Sequence, residues 1–154
     1  MKLALLQMEV LEKNKAGNVE KACNLLKQAA PQADIAVLPE IWTTGYSLGH
    51  LSKEAEYLNG PVIEEIRRIA AANCCAVVAG SIPLRKGDDN VYNTTVVIDK
   101  NGEIVFCYSK LHLFSMFNEQ RFFKPGSDFS AYELEGVTCA STICYDLRFP
   151  ELYR

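Results

Sequence analysis

Apolar and polar positions along the chain alternate between short continuous runs and longer amphipathic stretches. Residues 3–8 make a brief, largely apolar run that reads as a buried strand, and a polar turn follows. Val19, Ala22, Cys23, Leu26, Ala29 and Ala30 then recur at the three- and four-residue offsets of one helix face, and Pro31 stands where that helix should stop. Residues 34–39 form a second apolar run, bounded by Pro39 and too short for a typical helix, so a second buried strand is predicted. Gly60-Pro61 opens another helix with proline at its first position, where no N–H is needed, and Val62, Ile66, Ile69 and Ala70 make its buried face. Residues 75–82, rich in valine and alanine, give a third strand.

From Val91 the pattern changes. Residues 91–98 and 103–108 are strand-like and joined through Asp99-Lys100-Asn101-Gly102, whose Asn-Gly pair signals a hairpin turn. Residues 129–134 and 137–144 form a second such pair, linked by Glu135-Gly136, in which glycine supplies the positive φ. Parallel and antiparallel elements together predict an α/β fold with a mixed sheet, covered on at least one face by the two amphipathic helices. No repeat or linker divides the chain, so residues 1–154 are expected to form one domain. Residues 149–154 read as the first turn of a further helix, and the expectation is a truncated or split polypeptide.

A chain of 154 residues suits one compact domain, and 49% apolar with 23% charged residues excludes disordered and collagenous classes. The net charge of -3 argues against a nucleic-acid binder, whose footprint would be basic, and turns attention to a small-molecule partner. The N-terminal apolar run is too short for a signal peptide, and no stretch approaches the roughly 20 apolar residues of a membrane span. The six cysteines, at positions 23, 74, 75, 107, 139 and 144, are therefore expected as thiols in the cytoplasm. None are spaced C-x-x-C, and only His50 and His112 could join them, so no structural zinc site is expected.

Ligands of open α/β sheets bind beyond the carboxyl ends of the strands. Glu40 follows the second strand, Lys110 follows the strand 103–108, and Cys144 ends the strand 137–144. Each alone has an ordinary reading: a loop carboxylate, a solvated cation, a small buried hydrophobe. Together they offer a nucleophile, a cation and a base without any histidine.

These residues also carry a resemblance. Leu38-Pro39-Glu40, the segment 108–114 around Lys110, and the segment 143–152 around Cys144 resemble, in order, the three signature segments of the nitrilase superfamily of carbon-nitrogen hydrolases. The resemblance runs the length of the chain and implies a four-layer αββα sandwich, C-terminally incomplete here. It implies a Glu40, Lys110 and Cys144 triad, and Glu119 as a second acid, since residues 119–126 match the family's E-x-x-x-F-x-P-G segment. Glu40 would act as general base, Cys144 as nucleophile, and Lys110 with the Tyr145 N–H as oxyanion donors, with no metal or organic cofactor. Glu119 would help to orient the substrate.

The implied activity is hydrolysis of a small linear amide, omega-amidase-like, through a cysteine thioester. The alternative is an inactive fragment or structural subunit of a split protein. Either self-association or a complementary C-terminal polypeptide is expected. A competing Cys144–His112 pair lacks any evident acid partner for the histidine. Asp146 and Arg148 are expected to pair with one another or to fix the turn, with Arg148 also able to face an anionic substrate. Trp42, Tyr46 and Phe117 are candidates for the pocket wall.

Overall fold

The computed structural model describes residues 1–87 and 90–154. Three short strands, β1 (Leu3–Leu5), β2 (Ile35–Val37) and β3 (Ala76–Val78), lie parallel, with Leu3 opposite Ile35 and Ile35 opposite Ala76. Parallel neighbours need crossovers, and helices supply them. Helix α1 (Lys15–Ala29) joins β1 to β2, and α2 (Leu51–Glu54) and α3 (Pro61–Asn73) join β2 to β3. The side chain of Asn14 accepts the Gly17 N–H at the start of α1, and Pro31 lies in a 3₁₀ turn, Ala30–Gln32, just past its end.

The remaining strands are antiparallel. The long β5 (Val91–Ile98) pairs along one edge with both β3 and β4 (Ile82–Arg85), and along the other with β6 (Ile104–Ser109). All six strands form one mixed sheet.

Strand alternation decides what each face meets. Ala36, Leu38, Val77, Val96 and Ile98 pack with Ala22 and Leu26 of α1 and Ile63 and Ile66 of α3. Each fully buried isoleucine of α3 contributes roughly 1.5–3 kcal/mol. The other face presents Ile35, Ala76 and Val97 to Leu134 of a separate hairpin, β7 (Ala131–Leu134) and β8 (Val137–Ala140). The layers are thus helix, six-stranded sheet and the hairpin of a second sheet, in line with the mixed α/β sandwich that the resemblance implies.

Three expectations needed correction. Residues 75–82 are not one strand: Gly80, at φ +56, ends the run, and a separate strand, β4, then continues along β5 in the same direction as β3. Residues 137–144 leave the strand at Ala140, and a 3₁₀ turn, Cys144–Arg148, takes over. In the β7–β8 turn both Glu135 (φ 50) and Gly136 (φ 77) are left-handed, so glycine does not carry the turn alone.

Candidate active site

Glu40 emerges just beyond β2, where the chain is clamped. Ile41 adopts φ 46, a costly conformation for a β-branched residue, of the order of 1–3 kcal/mol. It is held there because its N–H donates to Ser81 Oγ at 3.1 Å, the Ser81 N–H donates to the Pro39 carbonyl at 3.0 Å, and Trp42 Nε1 donates to the Ala79 carbonyl at 2.8 Å. Gly80 is required at this crossing: a Cβ would stand 1.9 Å from the Pro39 oxygen.

Lys110 follows β6 directly, its N–H donating to the Asn93 carbonyl at 2.9 Å and its carbonyl accepting the Gly126 N–H at 2.9 Å. Gly126 lies flat on this strand end, since a Cβ would meet the Ser109 oxygen at 2.1 Å. That close approach brings the 119–126 segment onto Lys110. Glu119 is fully buried, and its Oε2 accepts the Phe114 N–H at 2.8 Å.

The charged groups converge. The buried Lys110 ammonium donates to Glu40 Oε1 at 3.1 Å and to Glu119 Oε1 at 3.0 Å. Burial alone would pull its pKa down, but the two carboxylates outweigh burial and hold it above the usual lysine value. The ammonium is therefore permanent at neutral pH. Glu40 is fixed further by Asn93 Nδ2, which donates to Oε1 at 2.9 Å, and by the Tyr46 hydroxyl, which donates to Oε2 at 2.6 Å.

Cys144 joins them at the head of its turn, with φ 47. Burial pushes its thiol pKa up, the Glu40 charge adds to this, and Lys110 opposes. The resting group is thus a thiol beside a carboxylate base rather than a preformed thiolate. The fully buried Asp146 secures the turn: its carboxylate accepts the Ile143 N–H at 3.0 Å, the Tyr108 hydroxyl at 2.7 Å and the His112 N–H at 2.9 Å.

Of the two expectations for Asp146, fixing the turn is met and the pair with Arg148 is not: among the described residues its carboxylate bonds go to Ile143, Tyr108 and His112. Asp146 also supplies the acid that His112 was expected to lack, since His112 Nδ1 lies 2.8 Å from Asp146 Oδ1. Yet the imidazole stacks on Phe149 at 3.5 Å between centroids, and among the described residues no hydrogen bond joins it to Cys144.

A cavity of about 360 Å³ opens over the site, with Tyr46, Phe114, Phe117 and Tyr145 as aromatic walls, and Glu119, Cys144 and Arg148 among its lining. Tyr46 and Phe117 meet edge to face at 5.4 Å. Trp42 is not part of this wall: it is fully buried in the core. A second cleft, of about 370 Å³, runs between the sheet and the β7–β8 hairpin and reaches Glu40 and Cys144 from behind. Among the described residues, no cluster of three or more His, Cys, Asp or Glu side chains could hold a metal ion. Nor is any helix there long and apolar enough to cross a membrane.

Asn93 and Asp146 were not read as site residues from the sequence. A signal for Asn93 existed in the amide that interrupts the face Val91, Asn93, Thr95 and Val97 of an otherwise apolar strand. Asp146 was expected only to pair with Arg148 or to fix the turn, and its bonds to Tyr108 and His112 had no signal, because those partners lie more than 30 residues away along the chain.

The carbon-nitrogen hydrolase family profile matches residues 2–154. The chain belongs to the carbon-nitrogen hydrolase family. It is 37% identical over 99% of its length to the 2-oxoglutaramate amidase of Bacillus subtilis (strain 168), and covers 58% of that protein. It is 31% identical over 98% of its length to the omega-amidase NIT2 of Homo sapiens, and covers 57% of it. Among solved structures, a superfamily protein of Xanthomonas campestris with an arsenic adduct in its active site superposes with a TM-score of 0.91 at 32% identity. That match covers all of this chain and 57% of the other. The chain thus spans little more than half the length of these carbon-nitrogen hydrolases.

Proposed function

We propose that the protein hydrolyses the amide bond of a small linear, carboxylate-bearing amide through a thioester on Cys144, releasing ammonia. The observation that carries this reading is the single buried ammonium of Lys110, bonded at once to Glu40 and Glu119 beside a neutral thiol. Glu40 takes the thiol proton as the sulfur attacks the carbonyl carbon, and returns it to the departing nitrogen as the C–N bond breaks. Lys110 and the Tyr145 N–H, at the open start of the 3₁₀ turn, stabilise the oxyanion. Water, activated by Glu40, then cleaves the thioester. Glu119 holds Lys110 in place and orients the amide.

Two features support a carboxylate on the substrate. Arg148 lines the pocket and, among the described residues, has no ion-pair partner. The named relatives include a 2-oxoglutaramate amidase and an omega-amidase. Incubation with 2-oxoglutaramate, with the monoamides of other dicarboxylic acids and with neutral amides, following ammonia, tests this. Faster release from the acidic amides is expected, and no release from any amide would overturn the reading.

A second reading, a non-catalytic subunit, draws on the cleft between sheet and hairpin, which leaves a partly uncovered layer that a second copy or another polypeptide could fill. Native mass measurement separates the two: a subunit assembles and releases no ammonia. The cytoplasm is the compartment that suits a thiol nucleophile.

A further inference from the structure

Tyr46 stands between the base and the pocket. Its hydroxyl donates to Glu40 Oε2 at 2.6 Å, its ring meets Phe117 edge to face at 5.4 Å, and it lines the cavity that also contains Cys144. A phenol has one proton to give, and here the carboxylate receives it. Burial first, and then the bond to Glu40, push the Tyr46 pKa far above its ordinary value, so that proton stays. The phenol oxygen has only lone pairs left to present to a ligand.

We infer that Tyr46 is a specificity-determining residue, whose oxygen accepts an N–H of the substrate amide and so selects primary amides over esters of the same acid. This rests on the amidase reading above and deepens it. The polarity of the pocket is then complementary to an amide across its whole width. Donors, the Lys110 ammonium and the Tyr145 N–H, face the carbonyl oxygen. The acceptor, Tyr46, faces the amino group.

The proton balance closes without the phenol. The thiol proton passes to Glu40 as the C–S bond forms, and from Glu40 to the nitrogen as the C–N bond breaks, while Tyr46 keeps its own proton throughout. An alkoxy group has no N–H to offer, so an ester leaves this acceptor unpaired.

The test compares wild type and Tyr46→Phe on a matched pair, the monoamide and the monomethyl ester of one dicarboxylic acid. The substitution also removes a donor to Glu40, and Asn93→Ala, which removes another donor to Glu40 and leaves the phenol in place, measures how far that loss alone moves the ratio, so that the Tyr46→Phe change is read relative to it. The expected result is that the amide-to-ester ratio of kcat/KM falls about tenfold, the worth of one hydrogen bond of this kind. An unchanged ratio in an active enzyme would overturn the inference and leave the amidase reading intact. Loss of turnover of both substrates by the wild type itself would overturn both.

If Tyr46→Phe is poorly folded, binding to Cys144→Ala, which cannot form a thioester, gives the same answer. That variant should bind the amide more tightly than the ester, and equal affinities would refute the role assigned to Tyr46.

Discussion

Replacing Lys110 by methionine keeps the length of the side chain and removes only its charge. In the native protein the ammonium is fully buried and satisfies two carboxylates, at 3.1 Å on Glu40 and 3.0 Å on Glu119. Glu119 is itself fully buried, and among the described residues its carboxylate retains only the Phe114 N–H when the ammonium is gone. Stranding one partner of a buried pair costs about 3–5 kcal/mol. For a chain of this length that corresponds to a fall in Tm of about 6–20 °C.

The double variant Lys110→Met, Glu119→Gln removes both charges and should recover a large part of the loss, as neutral replacements of buried ion pairs do. The sign for Lys110 itself is set by its raised pKa: its contribution is complete below the ordinary lysine value and disappears as pH rises through the folded one. Thermal and urea unfolding of the three proteins from about pH 7 to about pH 12, through the ordinary lysine value of about 10.4, measures all of this. A Lys110→Met protein as stable as wild type at neutral pH would refute the electrostatic account of the site, whatever its activity.

Glu40→Gln removes the proposed base and also the negative charge that raises the Cys144 thiol pKa. Ammonia release should fall at least about a hundredfold, the usual worth of a general base, while the pH midpoint of iodoacetamide labelling at Cys144 moves down. Asp146→Asn puts an NH2 in place of one carboxylate oxygen, against either the His112 N–H on the Oδ1 side or the Ile143 N–H and Tyr108 hydroxyl on the Oδ2 side. It should cost about 3 kcal/mol in urea unfolding and slow turnover, with Cys144 still present to label. Glu65, whose pKa is held at about 2 chiefly by its bond to Arg68, contributes stability that is lost as pH falls from about 4.5 toward that value. A Glu65→Gln variant should therefore show a flatter Tm profile across that interval.

The strands and helices that an apolar period can define were readable from sequence. α3 begins at the proline that its N1 preference indicates, and the Asn101-Gly102 turn joins β5 to β6. What was not readable depends on contacts between distant segments. The run 75–82 looks continuous in hydrophobicity, and only the packing of Gly80 on the Pro39 carbonyl splits it. The stretch from Ile41 to Glu54 carries no clear period, and its shape comes from a clamp onto Ser81 and Ala79.

The candidate site follows the same division. Glu40, Lys110 and Cys144 were found because each follows a strand and matches a family segment. The bonds that hold them reach further: Asn93 meets Glu40 across 53 residues, and Asp146 meets Tyr108 and His112 across 38 and 34, beyond the reach of local pattern, whereas the bonds of Tyr46 to Glu40 and of Asp146 to Ile143 are local.

The claim on which the mechanism turns is that Cys144 carries the acyl group. Mixing the protein with a dicarboxylic monoamide, quenching in acid and reading the intact mass tests it directly. The account predicts a transient adduct equal in mass to the substrate less ammonia, mapped to Cys144, absent from Cys144→Ala and undiminished in Cys139→Ala. Ammonia release that persists in Cys144→Ala, or an adduct on any other residue, would contradict it.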